Sequence, residues 1–446
     1  MIQPVAHNTE WYLTHFELFE KNLNGESKSR LHALRKLAMS KFAATGFPTT
    51  KEEEWRFTNV ASIAKMQFSP VLRYSNEGLT AKDIEKFSFG GLKCLQLVFI
   101  NGHFAQELSS APSAQNGVMA GSLAAALKSE ADILNQHLAK YVKYDENGFT
   151  ALSTAFILDG AFIHVADNAV IEDPIHLLFI VTSKEKSVAA HPRNLIIAGK
   201  NSKVSIVESY VSLGSIPCLT NAVTEFVVGE NAIVEHDKLQ DESLEGYHIG
   251  TVHFQQKANS NVISNAINFG GSIARNNIAA VLNGEGIEST LNGLSLATGN
   301  QHIDNHTSID HAKPNCASHE LYKSILDGKS KGVFNGKIFV RKDAQKTDAK
   351  QTNKTLLLSD EATMNTKPQL EIFADDVKCT HGATVGYLDE EQKFYLRSRG
   401  IGEEEANDLL TFAFASDVIN RVHVDALREQ LDAMVHAKLQ QGRFQP

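Results

Sequence analysis

The sequence lacks the cysteine pattern of a disulfide-bonded or zinc-binding domain. It has only four cysteines, at positions 94, 218, 316 and 379, and no two of them form a CxxC pair. Cysteines scattered in this way argue against a disulfide framework and against a zinc ribbon. We therefore expect a reduced, cytoplasmic protein.

Long apolar runs and an excess of positive charge are also missing. No window approaches the roughly 20 apolar residues that cross a bilayer, and the first 20 residues carry no basic segment followed by an apolar run. The net charge is −9, from 43 basic and 52 acidic residues, which gives no general attraction for nucleic acid or anionic lipid. Neither a membrane nor a nucleic acid is an expected partner.

A complete nucleotide-binding loop is absent as well. The run Gly328-Lys329-Ser330 resembles the end of such a loop, but the position that requires a glycine is Lys323. We do not expect this chain to hydrolyse ATP.

The first part of the sequence has helical periodicity. Tyr12, Phe16, Phe19 and Leu23 are separated by four, three and four residues, which places them on one face of a helix. A second helix with the same spacing should end near Gly46. These patterns predict a mainly helical N-terminal domain over residues 1–149.

From about residue 150 the pattern changes to alternating β-branched and polar residues. Turn glycines recur at a nearly constant step, at positions 199, 214 and 229 and again at 270, 284 and 299. A fixed step in a long β region predicts a solenoid of stacked strands over residues 150–386. A sandwich with strands of similar length is left open at this point.

Helical spacing returns near the end of the chain and predicts a C-terminal helical domain over residues 387–446. A stripe of apolar residues should either bind a partner or pack against the β core. Its members are Ala406, Leu409, Leu410, Ala413, Phe414, Val418, Ile419 and Val422.

The most informative pair is Cys379 and His381. Residues two apart on a strand face the same side, and a thiol and an imidazole are both ligands for iron. A buried cysteine beside a hydrogen-bonded histidine is the alternative interpretation.

A weaker set of candidate ligands is His302, Asp304 and His306. They should share one face of a strand and could bind a transition metal. Solvated polar side chains on an exposed strand are the simpler interpretation.

A basic run between Lys329 and Lys354 is a further candidate surface. It could meet an acidic subunit, a flavin or a phosphate-bearing ligand, or it could be a solvated face.

Five segments in order resemble the C-terminal part of the SufB/SufD family of iron-sulfur cluster assembly proteins. Two upstream segments, at 46–56 and 149–156, extend the resemblance over most of the chain. The five segments are residues 332–338, 347–351, 368–372, 379–386 and 394–401.

Within that family the chain is more similar to the SufD branch than to the SufB branch. SufB chains carry an assembly cysteine where this chain has Asn353, and a glutamate where it has Gly382. Stable clusters are usually held by several thiolates. The resemblance therefore implies a partner subunit that does not build a cluster alone.

The resemblance implies a mainly β fold, with a right-handed parallel β-helix core flanked by helical domains. It also implies a non-catalytic scaffold that pairs with SufB near His381 and binds the ATPase SufC through helices at 400–430. No tightly bound cofactor is expected in the isolated chain. His381 and Cys379 would help to hold a transient cluster or iron shared with SufB, and reduced flavin is a candidate ligand of the complex. A homodimer remains open.

Two other functions compete with this interpretation. One is autonomous, SufB-like cluster assembly, which Asn353 and Gly382 disfavour. The other is a β-solenoid carbohydrate-active enzyme with paired carboxylates such as Asp304 and Asp310, which would have to lie roughly 5 to 10 Å apart.

Overall fold

Two parallel β-sheets form the centre of the molecule. The computed structural model describes residues 6–21, 23, 29–90, 92–110 and 117–441. Strands hold 39% of the residues and helices 27%. The predicted mainly β class, with a solenoid core and helices at both ends, is confirmed.

Successive strands alternate between the two sheets, so that two strands complete one coil. The first sheet has the order β20-β18-β16-β14-β12-β10-β8-β5-β4, with β7 beside β10 and β1 beside β7. Its strands are β1 Ser69–Pro70, β4 Val118–Ser122, β5 Ala161–Val165, β7 Val188–Ala190, β8 Arg193–Ala198, β10 Leu219–Val228, β12 Tyr247–Gln256, β14 Ile273–Leu282, β16 His302–His311, β18 Lys331–Val340 and β20 Thr363–Ile372.

The second sheet has the order β21-β19-β17-β15-β13-β11-β9-β6-β2-β3. Its strands are β2 Leu95–Ile100, β3 His103–Phe104, β6 Ile175–Thr182, β9 Lys203–Leu213, β11 Ile233–Asp241, β13 Asn261–Asn268, β15 Glu288–Ala297, β17 Ala317–Leu326, β19 Asp348–Leu357 and β21 Lys378–Gly386. Strands β2 and β4 come from the N-terminal part of the chain, so this part contributes to both sheets.

The strand register explains the glycine spacing in the sequence. His302 of β16 pairs with Ile273 of β14, one coil earlier in the chain, and with Lys331 of β18, one coil later. Each coil contains two strands and therefore two turns between them. The step from one turn glycine to the next is therefore half a coil.

Helices cover the outer faces of both sheets. The N-terminal ones are α1 Ala6–Lys21, α2 Arg30–Thr45, α3 Ala61–Lys65, α4 Ala81–Ile84, α5 Leu123–Ser129, α6 Ala131–His137 and α7 Gly148–Ala155, and the C-terminal ones are α8 Glu390–Ser398, α9 Glu403–Ile419 and α10 Asp425–Gln441. None of the helices within the described ranges is long and apolar enough to span a membrane.

The N-terminal helices pack against the first sheet. Tyr12 and Phe42 join α1 to α2 with ring centroids 5.5 Å apart, in an edge-to-face contact. Their cluster continues onto Leu219 and Tyr247 of the sheet. Helix α2 ends at Thr45 because Gly46 takes a φ of 65° and donates its N–H to the carbonyl of Phe42. The predicted helix end is correct.

The C-terminal helices pack against the second sheet. Ala406, Val418, Ile419 and Val422 of the predicted apolar stripe are fully buried, and the last three share a cluster with residues of β11, β13 and β15. Leu409 remains 42% exposed. Half of the eight stripe residues are therefore fully buried, and this half packs as one of the two sequence interpretations expects.

One turn of each coil contains a residue in the left-handed conformation. Asn168, Asn201, Asn231 and Asn259 have φ values between 56° and 62°. Asn201 donates to the side chain of Asn168, and Asn231 donates to that of Asn201, both at 2.8 Å. Asparagine tolerates this conformation better than most residues, which explains its recurrence.

Replacing Asn231 by alanine should destabilise the solenoid by about 1–2 kcal/mol, because alanine pays the steric cost of a positive φ and the ladder loses a hydrogen bond. Asn231→Gly, which relieves the φ cost but also removes the side chain, is the matched control and should lose less. Thermal unfolding of the three proteins measures the difference. Equal melting temperatures for the alanine and glycine variants would contradict the assignment of strain.

Candidate functional site

The last coil of the solenoid presents two open sheet edges. Strand β21 pairs only with β19, and β20 pairs only with β18, within the described residues. Most residues from Lys378 to Gly386 are exposed, and so is Phe373 at the end of β20. An uncovered edge offers unpaired N–H and C=O groups to another strand. This end of the molecule is therefore suited to pairing with a second chain.

His381 lies on β21 at this open end. Its side chain is exposed, and within the described part of the chain no hydrogen bond or ion pair engages the imidazole. In the strand register it stands directly beside Gln351 of β19. An unengaged imidazole on an open edge is available to a ligand.

Cys379 occupies a different environment, although it lies only two residues away. Its partner in the register is the buried Ala349, and its side chain packs with Ile338 and Val340 in an apolar cluster. Burial raises the pKa of the thiol. A protonated thiol is a poor metal ligand, so the environment of Cys379 resembles that of a core residue more than that of a thiolate.

Asn353 and Gly382 are the two positions at which the resemblance implies a cysteine and a glutamate in the SufB branch. Asn353 is buried and donates to the carbonyl oxygen of Tyr322 at 3.3 Å. A Cβ atom on Gly382 would meet no atom within 4 Å. Neither position supplies a ligand.

The weaker candidates His302, Asp304 and His306 share the outer face of β16, as predicted. His306 Nε2 lies 3.0 Å from an oxygen of Asp304, and its Nδ1 lies 3.3 Å from Glu54. The hydroxyl of Thr58 donates to Asp304 at 2.5 Å and lies 2.9 Å from His302 Nε2. These side chains are therefore occupied by contacts with residues 53–58, which we call the strap.

A buried arginine completes the attachment of the strap. Arg275 of β14 donates to Asp304 at 2.9 Å and to the carbonyl of Glu54 at 2.7 Å. Its guanidinium lies 3.7 Å from the ring centroid of Trp55, a cation–π contact. Lys367 of β20 binds Glu53 at 2.6 Å. The strap thus reaches from β14 to the last strand of the first sheet.

Electrostatics reinforce this attachment. Burial alone would raise the pKa of Asp304, but the charges of His306 and Arg275 hold it well below its usual range. Burial opposes protonation of His306, yet the neighbouring Asp304 raises its pKa, with further help from Glu54.

Within the described residues, no group of three or more His, Cys, Asp or Glu side chains could hold a metal ion.

A cavity of about 590 Å³ opens beside the strap. It is lined by Trp55, Tyr141, His253, Arg275 and Lys337, among others. Glu54 and His306 lie at its wall, so that the strap contacts are accessible from solvent on one side.

The proposed pair of catalytic carboxylates does not form. Asp304 and Asp310 are six residues apart on one strand, a separation of about 20 Å at the usual rise of a strand. Asp310 is engaged by Arg341 at 2.6 Å. A glycosidase mechanism through these two carboxylates is therefore wrong.

The basic run is largely neutralised between neighbouring coils. Lys329 pairs with Glu361 at 3.3 Å and Lys337 with Glu371 at 2.6 Å, and Lys346 contacts Asp376. Each pair joins residues about one coil apart. These side chains form a surface ladder of ion pairs, which is the simpler of the sequence interpretations.

The strap should be held more tightly at pH 6 than at pH 8. Because the pKa of His306 is raised in the folded chain, its protonated form adds stability at low pH, and this is lost as the pH rises through the folded pKa. Each unit of pKa shift corresponds to about a tenfold change in the opening equilibrium. Hydrogen exchange of residues 53–58, corrected for intrinsic rates, measures the effect.

His306→Gln should remove this pH dependence. The matched control is His253→Gln in the same cavity, because burial lowers the pKa of His253, in the opposite direction to the shift of His306. A pH dependence that survives in His306→Gln would assign the effect to another group.

Comparisons with known proteins agree with the family resemblance seen in the sequence. The family model described as "SUF system FeS cluster assembly, SufBD core domain" matches residues 179–414, and that described as "SufBD protein N-terminal region" matches residues 6–177.

Three relatives cover most of the chain. An iron-sulfur cluster assembly SufBD family protein of Synechocystis is 32% identical over 93% of this chain and 93% of its own length. The iron-sulfur cluster assembly protein SufD of Escherichia coli is 31% identical over 89% and 90%, and SufD of Bacillus subtilis is 27% identical over 87% and 89%. The chain belongs to the SufBD family of iron-sulfur cluster assembly proteins.

Proposed function

We propose that this chain is a SufD-like, non-catalytic scaffold subunit that pairs with SufB and with the ATPase SufC to support de novo cluster assembly and iron acquisition. The observation that carries the proposal is the open last coil with the unengaged imidazole of His381. The relatives named SufD add support, because they match over nearly their whole length.

Pairing with SufB would use the free edges of β20 and β21. Edge pairing satisfies the backbone groups of both strands and brings His381 next to the partner. A neutral imidazole can bind iron and release it again, which a scaffold must do. The iron or nascent cluster is cargo in this scheme, held between the two subunits.

The environment of Cys379 favours His381 as the ligand from this chain. The thiol lies in an apolar cluster and has a raised pKa, whereas the imidazole is exposed on the open edge. We assign Cys379 to the packing of the last coil.

For docking of SufC we propose a surface on α8 and the first half of α9, so that the surface begins before the region 400–430 expected from the sequence. The buried part of the apolar stripe is already used by the second sheet. In contrast, Phe394 is 75% exposed, Tyr395 is 57% exposed and Leu409 is 42% exposed. Aromatic side chains are enriched among the residues that dominate binding at protein interfaces.

The first test uses His381→Ala in a complex co-expressed with SufB and SufC. We expect an intact complex whose iron and sulfide contents fall several-fold, because one ligand is lost. Thr380→Ala, an exposed neighbour on the opposite face of the strand, is the matched control and should retain both. Cys379→Ala should also retain both if the thiol only packs.

Unchanged iron in a stable His381→Ala complex would place the ligands entirely on SufB. Loss of iron in Cys379→Ala, with normal assembly, would return the thiol to the ligand set.

The second test concerns the docking of SufC. Phe394→Ala should weaken the affinity for SufC by about tenfold, the effect typical of an aromatic side chain at the centre of an interface, while the melting temperature stays the same. Calorimetric titration of the isolated chain with SufC measures it. Leu244→Ala, at an exposed apolar residue between β11 and β12, is the control. Equal affinities for both variants would move the docking surface elsewhere.

A further inference from the structure

Two buried polar side chains stand in line behind His381. Strands β17, β19 and β21 are neighbours, and their register places Glu320 beside Gln351 and Gln351 beside His381. Neighbouring strands lie about 4.8 Å apart, so residues in register on one face stand directly over each other. Glu320 and Gln351 are 3% and 1% exposed. The column therefore runs from the interior of the solenoid to its open end.

A short hydrogen bond fixes the orientation of the Gln351 amide. Its Nε2 donates to Glu320 Oε2 at 2.6 Å. In this bond the amide turns its NH₂ group toward Glu320, whose oxygen accepts. The carbonyl oxygen of the amide, Oε1, is then directed away from Glu320.

That carbonyl oxygen is buried and has no hydrogen-bond partner among the residues that the structure describes. Leaving a buried acceptor unpaired costs about 1–3 kcal/mol. The fold nevertheless makes room for the amide, since a Cβ atom on Gly336 would lie 2.3 Å from its Nε2. The unpaired Oε1 of Gln351 is unfavourable, yet Gly336 leaves room for the amide. This combination indicates that a hydrogen-bond donor reaches Oε1 in another state of the protein, such as the assembled complex.

His381 requires such an acceptor when it binds a metal ion. One ring nitrogen gives its lone pair to the ion, and the other carries a hydrogen that is almost always donated to a carboxylate, a carbonyl or a water. The unpaired oxygen of Gln351 lies in the adjacent position of the same column. A metal-bound His381 would have an N–H donor to place, and Gln351 has an acceptor oxygen to offer.

We propose that Gln351 is the positioning residue of His381. When the last coil is engaged, Gln351 Oε1 accepts a hydrogen bond from the ring nitrogen of His381 that does not bind iron. Glu320 holds the amide in the orientation that makes this possible. The inference rests on the proposed role of His381 as a ligand.

The test measures ferrous iron binding to the iron-free complex of this chain with SufB and SufC. Gln351→Met keeps a side chain of similar length but removes the acceptor. We expect it to weaken the iron affinity by roughly 10- to 100-fold, the usual effect of losing a group that orients a ligand. Thr355→Val is the matched control, because Thr355 is also buried on β19 with an unpaired oxygen but stands beside Val385.

A double variant separates positioning from packing. Combining Glu320→Gln with Gln351→Glu reverses the inner hydrogen bond and leaves an acceptor oxygen toward His381. It should restore the affinity to within a few-fold of wild type, which a purely structural effect of Gln351→Met would not predict. Wild-type affinity in Gln351→Met, or no rescue in a well-assembled double variant, would overturn the inference.

His381→Ala in the same series distinguishes the two proposals. If His381→Ala loses iron while Gln351→Met does not, the ligand assignment stands and the positioning role fails. If His381→Ala binds iron as wild type does, the ligand assignment fails first, and the positioning role fails with it.

Discussion

A parallel β-solenoid cannot hydrogen-bond the outer edges of its own last coil. This constraint determines how the two ends of the molecule differ and where the candidate ligand lies. Inside the stack, every strand is hydrogen-bonded to the strands of the coils before and after it. At the first coils, β3 and β4 lie antiparallel to β2 and β5 and finish the two sheets. At the other end, β20 and β21 are left with free edges in the described chain. The candidate ligand lies on that end.

The interior of the solenoid determines how rigid that end can be. Some glycines face large side chains: Gly293 faces Tyr322 of the next coil, and Gly336 faces Gln351 of the other sheet. In each case a Cβ atom on the glycine would lie 2.3 Å from the larger side chain. Burial raises the pKa of Glu320 to about 7, while the hydrogen bond from Gln351 opposes the shift. Close packing around such polar groups fixes the register of each coil, and so the position of the last one.

Periodicity in the sequence predicts the coil, but it does not predict the contacts between residues that are far apart in the sequence. The glycine step gives half a coil, and alternation puts Cys379 and His381 on one face. Their different environments depend on neighbours in the preceding coil, which alternation does not identify. The contacts of the strap are even harder to predict from the sequence, since Thr58 and Asp304 are separated by 246 residues. Only the packing of the N-terminal helices on the first sheet brings the two together, and no local pattern encodes it.

If His381 is an iron ligand, as we propose, its placement would allow it both to hold and to release iron. A ligand buried in the core would bind cargo that no partner can reach, whereas an exposed one with no support would bind weakly in any state. His381 is intermediate between a buried ligand and an unsupported exposed one. Its own side chain is exposed, while Gln351 and Glu320 behind it are buried. Covering the edge with a second subunit would exclude water from the imidazole and strengthen its polar contacts. Iron binding would then depend on assembly, so that separating the subunits would weaken the site without any change of fold within this chain.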